Sequence, residues 1–420
     1  MKNNHKKNEL KVIPYGKHYV DDDDIQAVVD VLQNGWLTQG PKVREFEDAL
    51  AKKVGANHAV AVSSGTAALH LACLVSKFDK DSKIITSANS FVASANCVEY
   101  VGASVYFTDI DKKTLNMSPD DLEKQIFSLG QIDAIIPVNF AGTACDMKKI
   151  SSIAKKHNAI VIEDASHALG ASYEDGGRVG NCNYSDMTIF SLHPVKGVTA
   201  GEGGVITTND EKIYKELSNL RSHGIHKGNF EFPGISVLND EIVNTNEAVE
   251  DGKLNPWYYE MHELGYNYRI TDIQCALALS QLNKLEMFIK KRREISKIYD
   301  DLFRSSEIVK LTQTYSRNIS ANHLYVLRID YESIGISRAK LMELMLSKGI
   351  GSQVHYVPIP MHPYYQKKGF NINDYPETKE YYRQALSIPI FFELDINEIR
   401  EIAQNIVEIL SNFQSLSVKV

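Results

Sequence analysis

Lys196 ends the run Phe190-Ser191-Leu192-His193-Pro194-Val195-Lys196, just past the apolar stretch Met187–Phe190. Gly201-Glu202-Gly203-Gly204 then turns the chain into a second apolar stretch, Val205–Thr208. A lysine between a strand end, glycines and an apolar wall is open to desolvation. Desolvation lowers its pKa and frees the amine to form a Schiff base. Taken alone, Lys196 reads as a surface lysine that happens to follow a strand. The upstream run Ile160-Val161-Ile162-Glu163-Asp164-Ala165-Ser166-His167 changes that reading. It is a buried-type strand that ends in a carboxylate, with a histidine three residues on.

A carboxylate at a strand end is suited to face a pyridine nitrogen and keep it protonated, which makes the ring an electron sink. An imidazole beside it can stack on the ring face. Asp164, His167, Ser191 and Lys196 together form the set that a pyridoxal 5'-phosphate enzyme needs. Ala59–Val62 followed by Ser63-Ser64-Gly65-Thr66-Ala67-Ala68-Leu69 adds a strand, a small polar turn and a helix start. That geometry cradles a phosphate with backbone N–H groups and the helix dipole. By itself the same turn reads equally as an ordinary helix cap.

These pieces, in this order, resemble the DegT/DnrJ/EryC1/StrS family of sugar aminotransferases. The resemblance rests on Glu163–Gly170, Ser191–Lys196, Gly201–Gly204 and Gly265-Tyr266-Asn267-Tyr268-Arg269, and extends from about Pro14 to the C-terminus. It implies the fold type I, aspartate aminotransferase-like architecture: a large, mostly parallel-sheet domain over 14–305 and a smaller C-terminal α/β domain over 306–420. Lys196 is then the catalytic residue that carries the cofactor. Gly65, Thr66, Asp164, His167, Ser191 and Asn267 join it in cofactor binding, with Asn267 arriving from the second subunit of a homodimer. Tyr15, the loop Gly35-Trp36-Leu37-Thr38 and the segment Gln353-Val354-His355-Tyr356 are implied to contact substrate, along with Gly65, Ser191 and Asn267.

Within the family, Ser320–Tyr325 and Gly351–Tyr356 resemble the branch that aminates a UDP-linked 4-keto-6-deoxy sugar on the way to pseudaminic acid. The resemblance implies L-glutamate as donor, 2-oxoglutarate as product, pyridoxamine phosphate as the alternate cofactor form and ping-pong kinetics. Three rivals stand beside this reading. A sibling aminotransferase would act on a 3-keto or D-configured 4-keto sugar. A dehydratase of the family would carry histidine in place of the lysine, and His193 is the residue that could mislead there. A ligand-sensing member would lack the full Asp164, His167, Ser191 and Lys196 set. A nicotinamide dehydrogenase needs Gly-x-Gly-x-x-Gly after its first strand, which this chain lacks.

Composition narrows the class without choosing a reaction. The chain has 420 residues, a formal net charge of -7 and 24% charged residues, which gives no reason to expect nucleic acid or a membrane surface as partner. No apolar run is long enough to span a bilayer. Met1-Lys2-Asn3-Asn4-His5-Lys6-Lys7 is basic with no apolar segment after it, so residues 1–13 are expected to be a disordered tail rather than a secretory signal. The five cysteines are scattered with no Cys-x-x-Cys, which argues against a zinc site or a disulfide framework and fits a reducing cytoplasm.

The elements that must position these groups read as alternating strands and helices. Strands at 84–85, 105–107, 134–138 and 160–162 are each followed by a helical stretch or the aspartate turn. Such alternation predicts a mostly parallel sheet with functional groups at the strands' carboxyl ends. Helices are expected at 21–34, 43–54, 374–386 and 396–410, and one long helical stretch over 271–303. Residues 223–264 read as a polar insertion, most of it at 228–254.

Overall fold

The computed structural model describes residues 12–227, 249–250 and 253–417. Residues 1–11 of the expected tail and most of the 228–254 insertion lie outside the described residues.

Seven strands form the central sheet: β1 (His58–Val62), β2 (Lys83–Ser87), β3 (Ser104–Thr108), β4 (Ala134–Ile136), β5 (Ile160–Asp164), β6 (Met187–Ser191) and β7 (Gly204–Thr208). Their spatial order is β1-β7-β6-β5-β4-β2-β3. β7 runs antiparallel to both neighbours, and the other pairings are parallel. The expected parallel sheet is therefore present with one reversed strand. Gly201–Gly204 allows the reversal, because a short turn returns the chain beside β6 without a crossover helix.

Both faces of the sheet are covered, which is why its strands read as nearly continuous apolar runs. One face packs Ala59, Ala61, Ile85, Ile135 and Phe190 against helices that include α2 (Pro41–Val54) and the helix Asp272–Asn283. The other packs Val60, Ile84, Ile136, Ile162 and Ile206 against α3 (Gly65–Val75) and α4 (Ala93–Tyr100). A third core gathers Ile295, Tyr299, Tyr325, Leu327, Leu386 and Ile402 around a three-stranded antiparallel sheet of Val309–Leu311, Tyr325–Ile329 and Ala385–Ile388.

Helix starts follow local chemistry. Asp21 and Asp24 form a capping box at Asp22–Asn34. Ser118 caps α5 (Pro119–Leu129), with Pro119 in its first turn.

Four expectations need correction. The long stretch from 271 is two helices, Asp272–Asn283 and Leu285–Phe303, which meet at Lys284. The Lys284 amine pairs with Asp21 and with Asp24 at 2.9 Å, which fixes the junction against the first helix. The helix expected over 374–386 ends at Gln384, and Ala385–Ile388 is a strand paired with Tyr325–Ile329. Its sequence, Ala-Leu-Ser-Ile, has no preference strong enough to declare a strand before that partner is in place. The ends of the 223–264 segment are ordered, with Ile225–Lys227 pairing antiparallel to Tyr259–Met261. Finally, Ile13 is not free tail. Its N–H donates to Gly349 O at 2.8 Å and its carbonyl accepts from Gly351 N at 2.8 Å.

Candidate active site

A cavity of about 420 Å³ opens at the carboxyl ends of β1, β2, β5 and β6. Open α/β sheets place their sites at that edge.

β5 delivers Asp164, which is 5% exposed. Its Oδ2 accepts from Ser94 Oγ at 2.6 Å and its Oδ1 from Ser166 N at 3.1 Å. Ser90 and Ser94 hydroxyls lie 2.8 Å apart and extend this chain along the start of α4. A carboxylate held by two donors keeps one orientation.

Lys196 lines the same cavity, and its backbone N–H bonds His193 O at 2.9 Å. Burial pushes its amine down to about 8, against an opposing pull from Asp164. The expected desolvation is thus present, and its cause is the cavity's apolar wall. His193, by contrast, is exposed at the rim.

The cradle combines both readings of its turn. Ser64 Oγ accepts from Ala67 N at 3.1 Å and is an N-cap. The N–H groups of Gly65 and Thr66 belong to the first turn, which has no intrahelical acceptors for them, and both residues line the cavity. A Cβ on Gly65 would stand 3.1 Å from Ser191 Cβ, so glycine keeps the space between β1 and β6 open. Gly204 serves the same junction, since a Cβ there would lie 2.3 Å from Ser64 O.

The C-terminal half supplies the opposite wall. Tyr356 Oη lies 3.0 Å from His167 Nε2. His323 packs against His167 with ring centroids 4.4 Å apart. His355 Nδ1 lies 2.9 Å from Ser387 Oγ, and its ring is 5.2 Å from that of Tyr15. Ile390 N donates to Tyr15 O at 3.0 Å, which fastens the N-terminal segment to this wall. Burial holds the His167 and His323 imidazoles well below their ordinary range, helped by the Lys196 charge. It brings His355 down to about 4 by the same two causes. All three are therefore neutral near pH 7 and present flat, uncharged faces.

Of the expected residues, Tyr15, Gly65, Thr66, Asp164, His167, Ser191, Lys196, His355 and Tyr356 line this cavity. Gly35, Trp36, Leu37, Thr38, Asn267, Gln353 and Val354 do not. Trp36 is 70% exposed, Thr38 pairs with Thr271, and Asn267 pairs with Ser222. Gln353 pairs with Ser387 on the outer side of His355. Sequence reasoning missed Ser94, Phe91, His323 and Arg292. The Ser90–Ser94 spacing at a strand's carboxyl end was a usable signal for the first. His323 lies in the Ser320–Tyr325 segment that carries the resemblance, but its contact with His167 could not be read there; Gly142, with φ +99, has no Cβ to strike His323 N at 2.8 Å.

Pyridoxal phosphate fits these residues. Lys196 provides the amine, Asp164 a fixed carboxylate, and Gly65, Thr66 and Ser191 a small polar cradle between two strands. His167 Nδ1 is a buried ring nitrogen with no protein partner, and His167 offers a neutral face. Fold and site together fit a pyridoxal phosphate-dependent enzyme.

Comparison with known proteins reaches the same class. The chain matches the DegT/DnrJ/EryC1/StrS aminotransferase family over residues 18–407 and belongs to that family. Its members are pyridoxal phosphate-dependent sugar aminotransferases. The chain is 35% identical over 403 residues to the spore coat polysaccharide biosynthesis protein SpsC of Bacillus subtilis, covering 94% of this chain and 97% of SpsC. It is 34% identical over 400 residues to UDP-4-amino-4,6-dideoxy-N-acetyl-beta-L-altrosamine transaminase of Campylobacter jejuni, covering 95% and 98%. Helicobacter pylori PseC, an aminotransferase involved in the biosynthesis of pseudoaminic acid, superposes with a TM-score of 0.83 at 29% identity. That match covers 96% of this chain and all of PseC. The architecture is accordingly fold type I.

Among the described residues no helix is long and apolar enough to cross a membrane. The five cysteines are buried and free.

Proposed function

We propose that the protein transfers the amino group of L-glutamate to C4 of UDP-2-acetamido-2,6-dideoxy-beta-L-arabino-hexos-4-ulose. The product is UDP-4-amino-4,6-dideoxy-N-acetyl-beta-L-altrosamine, an intermediate of pseudaminic acid biosynthesis. The observation that carries the catalytic part is the desolvated Lys196 amine in one cavity with the fixed Asp164 carboxylate. The likeness to the Campylobacter transaminase and to PseC supports the choice of sugar.

Asp164 would hold the cofactor's pyridine nitrogen, Gly65, Thr66 and Ser191 would hold its phosphate, and His167 would cover its ring. When bound, pyridoxal phosphate supplies the electron sink that makes a carbon acid beside it labile. Lys196 Nζ takes the proton from the donor's α carbon in the first half-reaction and puts one on C4 of the sugar in the second. His355 and Tyr15 wall the sugar and exclude water.

The active unit is a homodimer in which Asn267 of the partner subunit and the partner's Trp36 loop complete each site. The exposure of Trp36 and Asn267 in the single chain supports this. Mixing inactive Lys196→Ala with an inactive Asn267 variant tests it. Recovery of activity in the mixed dimer is expected, and persistent inactivity would count against shared sites.

A second reading, amination of a different nucleotide-linked keto sugar, is kept open by the comparable likeness to SpsC. The deciding experiment records the visible spectrum, adds glutamate, then supplies the 4-keto sugar and follows product mass and configuration. Bleaching by glutamate with formation of the 4-amino sugar is expected. Bleaching with this sugar untouched would favour the second reading. A protein that takes up no pyridoxal phosphate would remove the assignment of Lys196 and Asp164.

A further inference from the structure

Arg292 lies on the helix Leu285–Phe303, turned inward on the same stripe as Phe288, Ile289 and Ile295. It is 5% exposed. Its Nη1 donates to two main-chain carbonyls, His323 O at 3.1 Å and Ile390 O at 3.0 Å. No carboxylate among the described residues pairs with it. A buried guanidinium without a counter-charge is strongly disfavoured unless something holds it there.

Its location supplies a reason. A narrow cleft behind Lys196, about 10 Å³ in volume, is lined by Arg292 together with Ser166, Ser191, Lys196 and His323. The volume is that of about one water molecule, too small for a carboxylate. The guanidinium therefore does not meet the amino donor there. It faces the back of the lysine.

The two carbonyls it grips also matter. His323 packs against His167 with the rings tilted at 42°, and Ile390 N donates to Tyr15 O at 3.0 Å. One side chain thus ties together two segments of the cavity wall.

The charges around the Lys196 amine can be taken element by element. Asp164 at the end of β5 favours the ammonium form. His167, His323 and His355 are neutral, and Tyr356 is held un-ionised by burial. Glu202 and His193 stand at the rim of the cavity and Tyr15 on its wall. Arg292 is the fixed positive charge set against Asp164.

We propose that Arg292 is a positioning residue for Lys196: its carbonyl clamp fixes an uncompensated positive charge behind the lysine, and that charge keeps the amine free to accept a proton. The burial that lowers the amine and the Arg292 charge act in the same direction. This inference rests on the reading of Lys196 as the proton-carrying group.

The test is competitive acetylation of Lys196 in the full-length chain stripped of cofactor, read by peptide mass across neutral to alkaline pH. In the natural sequence the midpoint is expected near 8. Arg292→Gln, which keeps an N–H donor but loses the charge, should raise it by about half a unit, leaving about threefold less free amine at neutral pH. Arg292→Lys, which keeps the charge, should return the midpoint to that of the natural sequence. Arg292→Met replaces Arg292→Gln if the latter does not fold, because an apolar chain of similar length leaves no buried charge. An unchanged midpoint in the neutral variant overturns the inference. An equal shift in the lysine and neutral variants also overturns it, since charge would not be the agent. Borohydride fixation of pyridoxal phosphate separates this from the underlying reading. Fixation on a lysine other than Lys196 would refute that reading, whereas fixation on Lys196 with an unmoved midpoint refutes the Arg292 role alone.

Discussion

The two walls of the cavity are built in different ways. The sheet wall takes Gly65 and Thr66 from the end of β1, Asp164 from the end of β5, and Ser191 and Lys196 from β6 and its turn. Each group sits within a few residues of a strand end, so its position follows from local chain geometry. The opposite wall takes Tyr15, His323, His355 and Tyr356 from three distant stretches. It exists only because Ile13 pairs beside Gly349 and Gly351, Gln353 pairs with Ser387, and Ile390 bonds Tyr15. In our reading the first wall carries chemistry shared by every amino acceptor and the second decides which sugar fits. Local strand-end motifs suit the shared part. A wall assembled from separate segments can change shape one segment at a time.

Substitutions can break that division. Lys196→Ala should lower turnover by about 10³-fold or more with glutamate and with any sugar, because the group proposed to move the proton is gone. Near-normal turnover in either half-reaction, measured by stopped-flow bleaching and recovery, would remove Lys196 from the mechanism. Asp164→Ala should cost about 10²-fold or more and weaken cofactor retention on dialysis, again for both half-reactions.

A pH series sharpens the electrostatic part. The Lys196 amine is lowered to about 8, so the ammonium form dominates below that value and the free amine above it. Proton abstraction by the released amine should therefore rise with pH, about tenfold per unit on the acid side, and level off above 8. A rate that fell over that range would contradict this role. The histidines add no opposing limb near neutrality, since His355 titrates only near 4.

Smaller effects belong to individual contacts. Ser94→Ala removes the 2.6 Å hydrogen bond to Asp164 and should weaken cofactor binding by about tenfold, the worth of one hydrogen bond to a charged group. Tyr15→Leu removes the ring beside His355 and should raise the sugar KM by about three- to tenfold, while the glutamate half-reaction stays within about twofold. Equal slowing of both half-reactions by Tyr15→Leu would dissolve the proposed division between the walls.

The sheet wall was legible in the sequence for the reason that makes it local. Asp164 and His167 stand three residues apart after an apolar strand, and Gly201–Gly204 announces a tight return. Ser64 serves both readings of its turn, because it caps the helix and also lines the cavity beside Gly65 and Thr66. Arg292 sits in the basic run Lys290-Lys291-Arg292-Arg293 and looks like part of a solvated face. Its register with Phe288 and Ile295 was the available signal that it turns inward.

The sequence alone determined the alternation of strands and helices, the lysine and carboxylate at the sheet's carboxyl edge, and the family likeness they carry. These follow from apolar runs, turn residues and short spacings, which act over a few residues. Tertiary structure decided which distant segments meet that edge: Tyr15 beside His355, Tyr356 on His167, His323 beneath it, and Arg292 behind Lys196. Those contacts depend on pairings such as that of Ala385–Ile388 with Tyr325–Ile329, where neither strand has a local reason to choose the other. Only burial of the shared core around Tyr299, Leu327 and Leu386 makes that choice.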